Sequence, residues 1–85
     1  MNDKSPIVSA FTKEGLLSEL GIRLLVAVET EANIYQITRV TGLSSYLYLD
    51  ALNELVEKEF IARFEKGEEK FSITSAGRDA LAKQV

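Results

Sequence analysis

One glycine constrains this chain more than any other residue, because it separates two segments that each have helical periodicity. The apolar residues before Gly42 recur at intervals of three, as Ile34, Ile37 and Val40. This spacing predicts a two-turn helix over about residues 36–41. Leu43 and then two serines follow, and serine is a frequent N-cap of a following helix. Because glycine tolerates positive φ, we expect two helices that meet at a steep angle, with Leu43 in the corner.

Two longer helices are predicted on either side of this turn. Before it, apolar residues at helical spacing cover residues 16–31, with Leu17, Leu20, Leu24 and Val28 as the repeating set. After it, a helix is expected from Ser45 to about residue 59. The predicted buried stripe of this second helix is Leu49, Leu52, Leu55 and Val56, with Tyr48 at its margin.

From Phe60 onward the periodicity changes. Two short apolar segments, residues 60–65 and 70–73, flank a polar turn that contains Gly67. This pattern predicts a β-hairpin. Thr74 and Ser75 then provide a cap for a last helix over about residues 76–84. The predicted fold class is therefore mainly α with one small β-hairpin.

Residues 1–15 are predicted to form an N-terminal arm or a short helix, separate from a domain over residues 16–85. Ser5-Pro6 suits a helix start, and Gly15 suits a helix end, so a helix over about residues 6–14 is expected. Ile7, Val8 and Phe11 would share one side of it. These three residues are the candidate dimer interface. The alternative is that this segment folds back and covers the core of its own chain.

Composition excludes several classes of site. The 85 residues include no cysteine, histidine or tryptophan, so disulfides, thiolate–imidazole zinc sites and Ser-His-Asp or Cys-His nucleophiles are impossible. No phosphate-binding glycine loop is present either, and we expect neither an enzyme nor a metal or cofactor site. The longest apolar run, residues 24–28, is five residues long, far too short for a membrane span. With no export signal, the expected location is the cytoplasm, away from the membrane.

Three stretches resemble the winged helix-turn-helix superfamily, in the manner of small bacterial and archaeal regulators related to the multiple-antibiotic-resistance and phenolic-acid-decarboxylase repressors. They are residues 41–44 at the turn, residues 51–61 at the exit of the second helix, and residues 71–78 at the entry to the last helix. The second stretch is similar to the family pattern Leu-x-x-Leu-x-x-x-Gly-Leu-Ile, with Glu59 at the glycine position. The third is similar to Leu-Thr-x-x-Gly-Arg. The resemblance covers about residues 16–84 and implies a winged helix-turn-helix fold.

The resemblance also implies a function. It implies a transcription regulator that binds double-stranded DNA. We expect a homodimer, because reading a two-fold site needs a second chain, and no separate effector domain within 85 residues. The second helix of the turn would enter the major groove, and the hairpin would contact the backbone as a wing. The implied DNA contacts are Ser44, Ser45, Tyr46, Asp50 and Asn53 on the helix, Lys66 and Lys70 on the wing, and Arg39 near the flanking phosphates.

The charges of that helix favour a second hypothesis. DNA affinity comes largely from lysine and arginine, yet residues 44–57 contain neither and carry Asp50, Glu54 and Glu57. The alternative is a winged-helix protein-interaction module that does not bind DNA. Its docking face would be Tyr46, Leu47, Asp50 and Glu54. The three carboxylates are otherwise interpreted as a solvated helix face, and Leu47 and Tyr48 as packing residues that leave only Tyr46 exposed.

Overall fold

A computed structural model describes residues 9–83, which form four helices and one antiparallel β-hairpin. The elements follow in the order α1 (Glu19–Ala27), α2 (Ile34–Thr41), α3 (Ser45–Glu57), β1 (Ile61–Phe64), β2 (Lys70–Ile73) and α4 (Ser75–Ala82). The chain is thus mainly helical with a small hairpin, as predicted, and the layout is compatible with a winged helix.

Local capping explains where α2 begins and ends. It begins two residues earlier than predicted because Asn33 caps it: Gln36 N donates to Asn33 Oδ1 at 2.8 Å, and Asn33 N donates to Gln36 Oε1 at 2.9 Å. It ends at Gly42, which has a φ of 74° and whose N–H donates to Thr38 O at 2.8 Å. The predicted positive-φ turn between the two helices is therefore confirmed.

The predicted helix over residues 6–14 is wrong for its described part. Residues 9–14 contain no helix and instead lead into a tight turn, in which Thr12 N donates to Leu16 O at 2.7 Å and Gly15 N donates to Thr12 O at 3.0 Å. Phe11 and Leu17 pair across this turn in an isolated antiparallel bridge. Threonine and serine side chains compete with helical hydrogen bonds, which favours such turns. Ile7 and Val8 lie outside the described residues.

The core lies between the helices and the hairpin. Its largest fully buried side chains come from α1 and its C-cap residue, from α2 and α3, and from both strands: Leu24, Leu25, Val28, Ile37, Tyr48, Leu52, Leu55, Ile61 and Phe71. The predicted stripe of α3 is wrong at two positions. Tyr48 is fully buried rather than marginal, and Leu49 is 40% exposed.

A hydrogen-bonded hydroxyl allows Tyr48 to be buried. Tyr48 Oη donates to Ile34 O at 3.1 Å and lies 2.7 Å from Thr38 Oγ1. A buried tyrosine needs such a partner, and α2 supplies two. The interpretation of Tyr48 as a packing residue against α2 is therefore confirmed, and Tyr46, at 78% exposure, remains outside the core.

The hairpin is joined to the helices through its second strand. Within the hairpin, Ile61 pairs with Ile73 and Phe64 pairs with Lys70. On the other side of β2, Phe71 N donates to Ala32 O at 2.8 Å, and Ala32 N donates to Phe71 O at 2.9 Å. The segment between α1 and α2 therefore pairs with β2 at one residue and joins the hairpin to the helices.

Glu59, which follows α3, has a backbone conformation that is unusual for a residue other than glycine. Glu59 has a φ of 64°, in the left-handed region that glycine favours. Phe60 N donates to Leu55 O at 2.9 Å and Glu59 N donates to Val56 O at 3.0 Å, which is the Schellman pattern. This geometry explains why a glycine would suit position 59.

We expect Glu59→Gly to raise the free energy of unfolding by about 1 kcal/mol, because it removes the steric penalty of a side chain at positive φ. Urea denaturation measures this change. Glu59→Ala is the matched control: it removes the same charge but keeps the penalty, and should stay within about 0.5 kcal/mol of the native chain. Equal stabilisation by both variants would show that charge, not backbone conformation, limits stability at this position.

Candidate functional site

One side of α3 faces solvent along its whole length. Its members, which we call the exposed face of α3, are Tyr46, Leu49, Asp50, Asn53 and Glu57. They recur at helical spacing and therefore lie in one stripe. The exposed face contains one aromatic, one aliphatic, one amide and two carboxylate side chains, and it contains no lysine or arginine.

The predicted DNA contacts are distributed over three elements. The structure brings Tyr46, Asp50 and Asn53 together on the exposed face of α3. Ser44 is exposed at the start of this helix and makes no side-chain capping bond, whereas Ser45 is half-buried. The predicted cations lie elsewhere: Arg39 is exposed on α2, Lys66 is exposed in the hairpin turn, and Lys70 is half-buried on β2.

Glu54 differs from the other carboxylates of α3 because it accepts hydrogen bonds from residues near the N-terminus of the same chain. Ser9 Oγ donates to Glu54 Oε1 at 3.0 Å and lies 3.2 Å from Oε2, and Ala10 N donates to Oε1 at 2.7 Å. Glu54 is half-buried, while Asp50 and Glu57 are exposed. The interpretation of all three as a solvated face is therefore wrong for Glu54. Its carboxylate instead holds the N-terminal segment on α3.

Phe11 also contacts its own chain. Its ring lies 6.0 Å from the ring of Phe60, centroid to centroid, and Lys58 Nζ lies 5.9 Å from the Phe11 centroid. Phe11 is half-buried against the core. These contacts favour the alternative in which the N-terminal segment covers the core of the same chain. The other two candidate dimer residues, Ile7 and Val8, are outside the described part of the chain.

Arg63 forms ion pairs with two glutamates of the hairpin. Arg63 Nε lies 3.1 Å from Glu65 Oε2, and Arg63 Nη1 lies 3.8 Å from Glu69 Oε2. Asn33 Nδ2 donates to Glu68 Oε2, which ties the turn to the start of α2. Among residues 9–83, no ion pair involves Arg39, Lys66 or Lys70. The glutamates of the hairpin are thus engaged locally, and these three cations are available to an external anion.

A second surface feature is an open groove of about 810 Å³ beside the N-terminal turn. Its apolar residues are Phe11, Leu20, Leu43 and Leu47. The sequence did not indicate this groove, because its walls come from the N-terminal turn, α1 and the start of α3. Leu47, predicted as part of a protein-docking face, is half-buried in this wall rather than on the exposed face of α3.

Comparisons with known proteins identify no relative of this chain. No protein-family model matches it, and searches of the curated proteins and of the solved structures return no match. Within residues 9–83, no helix is both long and apolar enough to cross a membrane. The function must therefore be inferred from the fold and from the exposed residues.

Proposed function

We propose that this chain is a winged-helix DNA-binding protein that acts as a transcription regulator. The observation that carries the proposal is the position of α3 between two sources of free cations. It follows the Gly42 turn directly, with Arg39 on the helix before it. The hairpin that follows it carries Lys66 and Lys70. In this arrangement α3 is the recognition helix and the hairpin is the wing.

In the proposed complex, affinity and sequence recognition come from different elements. Arg39, Lys66 and Lys70 contact phosphates on either side of the major groove, which supplies the salt-dependent part of the affinity. The exposed face of α3 lies in the groove against the base edges. A homodimer would present two such helices to a palindromic site and double the number of phosphate contacts.

The proposed phosphate contacts make duplex binding depend on the salt concentration. With three phosphate contacts per chain, raising the salt from about 50 mM to about 200 mM should weaken duplex binding about 40-fold per chain. Arg39→Ala and Lys66→Ala should each reduce the slope of log affinity against log salt by about 1. Fluorescence anisotropy with a labelled random-sequence duplex measures both quantities.

The matched control removes a cation that is not among the proposed DNA contacts. Lys83 follows α4 and is exposed, so Lys83→Ala should leave the salt slope unchanged. No binding at low salt, with protein at about 100 μM, would reject DNA binding. Equal losses from Lys83→Ala and Arg39→Ala would reject the assignment of the contacts, because they would indicate attraction by net charge alone.

One observation favours a second candidate function, a winged-helix module that binds a protein. The exposed face of α3 carries Asp50 and Glu57 beside Tyr46 and Leu49, and no cation. Exposed aromatic residues are frequent anchors of protein interfaces, and the carboxylates would suit a basic partner. The same duplex titration separates the two functions, since this module would not bind DNA at any salt concentration.

A further inference from the structure

We infer that α3 selects a cytosine through Asp50 and a neighbouring adenine through Asn53, so that the preferred DNA site contains adjacent C·G and A·T pairs. This inference rests on the proposed DNA-binding function and adds to it the kind of sequence that is recognised. It follows from the side chains on the exposed face of α3, from their spacing, and from the hydrogen bonds that their chemistry permits.

The first step is that Asp50 has no partner within the described chain. Its side chain is exposed, and no ion pair or side-chain hydrogen bond among residues 9–83 involves it. Glu54, one helical turn later, is bound by Ser9 and Ala10. Of these two carboxylates, only Asp50 is therefore free to accept a hydrogen bond from DNA.

The second step is chemical. A carboxylate only accepts hydrogen bonds, so it needs a donor on the edge of a base. In the major groove both cytosine and adenine offer an amino group, N4 and N6, but the adenine amino group lies beside the acceptor N7, which repels a carboxylate. Guanine offers only the acceptors N7 and O6, so cytosine is the preferred partner of Asp50. The usual guanine contact requires arginine or lysine, and α3 contains neither. Asn53 is exposed and can both donate and accept, which matches N7 and the N6 amino group of adenine.

The third step is distance along the helix. Asp50 and Asn53 are three residues apart on the same stripe, which separates them by about 4.5 Å along the axis of α3. Successive base pairs of B-DNA are about 3.4 Å apart, so the two side chains can reach neighbouring pairs. Leu49, at 40% exposure, lies beside Asp50 and offers an apolar surface to a thymine methyl group.

Asp50 also repels the phosphates, and this repulsion supplies a distinctive test. Asp50→Asn removes a negative charge from the groove, so its affinity for random-sequence duplex should increase, by roughly 2- to 5-fold at low salt. The same substitution should reduce the preference for cytosine by about tenfold, because asparagine matches adenine better. A purely structural role of Asp50 would not produce these two opposite changes.

In the experiment, duplexes with a randomised central segment are selected by binding to the 85-residue chain and are then sequenced, for the native protein and two variants. Glu57→Gln is the matched control: it removes one negative charge from the same face of α3, two turns from Asp50. It should raise the affinity for random duplex and leave the base preference unchanged. The expected native result is enrichment of adjacent C and A, lost in Asp50→Asn and retained in Glu57→Gln.

The experiment distinguishes failure of the proposed DNA-binding function from failure of the inferred base preference. If the native chain retains no duplex, the proposed DNA-binding function is rejected, and this inference with it. If duplexes are retained without enrichment of cytosine, or if the enrichment persists in Asp50→Asn, the inference is overturned while DNA binding stands. Anisotropy titrations with the enriched duplex, and with the same duplex carrying G·C in place of C·G, quantify the preference.

Discussion

Replacing Gly77 with alanine is expected to lower the free energy of unfolding by about 2 kcal/mol. Alanine normally stabilises a helix by about 1 kcal/mol relative to glycine, so the sign of this change is itself informative. A Cβ atom at Gly77 would overlap the backbone oxygen of Phe60 and would lie 2.8 Å from Ile73 Cγ1. Neither neighbour moves easily, because Phe60 O accepts from Thr74 N at 3.0 Å and Ile73 is buried.

Urea denaturation of Gly77→Ala and the native chain measures this loss. Asp79→Ala, at an exposed position of the same helix, is the control and should change stability by no more than about 0.5 kcal/mol. A more stable Gly77→Ala variant would show that α4 does not approach the end of α3 as closely as the structure indicates.

Glu54→Ala is expected to lower the free energy of unfolding by about 2 kcal/mol. The variant loses hydrogen bonds to a charged acceptor from Ser9 Oγ and Ala10 N, and Ala10 is fully buried. Its amide would be left without the acceptor that the native carboxylate provides. Urea denaturation measures the loss, and the Ala10 amide should exchange with solvent faster than in the native chain.

Two further variants make this second prediction specific. Glu57→Ala removes a carboxylate from an exposed position of α3 and should change stability by no more than about 0.5 kcal/mol. Gly21→Ala places a Cβ against the backbone oxygen of Ala10, so its penalty should be smaller in the Glu54→Ala background, where this segment has lost its hydrogen bonds to Glu54. If Glu54→Ala and Glu57→Ala are equally stable, the carboxylate does not hold the N-terminal segment.

Sequence periodicity and turn residues predict most of the helices and the hairpin, and each wrong prediction has a physical cause. The stripe of α3 was predicted from aliphatic residues alone, which favoured Leu49 over Tyr48. The tyrosine is buried because Ile34 and Thr38 on another helix meet its hydroxyl, and no pattern within α3 contains that information. Apolar spacing predicts a helix over residues 6–14, but the hydroxyls of Ser9 and Thr12 accept hydrogen bonds from the backbone of that segment and favour a turn instead.

The candidate site shows the same limit of local sequence. Asp50 and Glu54 are both acidic, lie four residues apart and look equivalent in the sequence. In the structure they differ, because Ser9, 45 positions before Glu54, donates a hydrogen bond to the Glu54 carboxylate, whereas the Asp50 carboxylate remains exposed. Sequence spacing predicts Tyr46, Asp50 and Asn53 on one surface of α3, but whether each side chain is available depends on contacts between distant segments.

The pairing of Ala32 with Phe71 has a consequence for how this chain opens. It makes β2 the central strand of the sheet, with β1 on one side and the segment between α1 and α2 on the other. The hairpin cannot swing away from the helices without breaking both hydrogen bonds to Ala32 and exposing the buried ring of Phe71. We therefore expect the hairpin to unfold together with the helices rather than to move as a separate flap, because opening it breaks these hydrogen bonds.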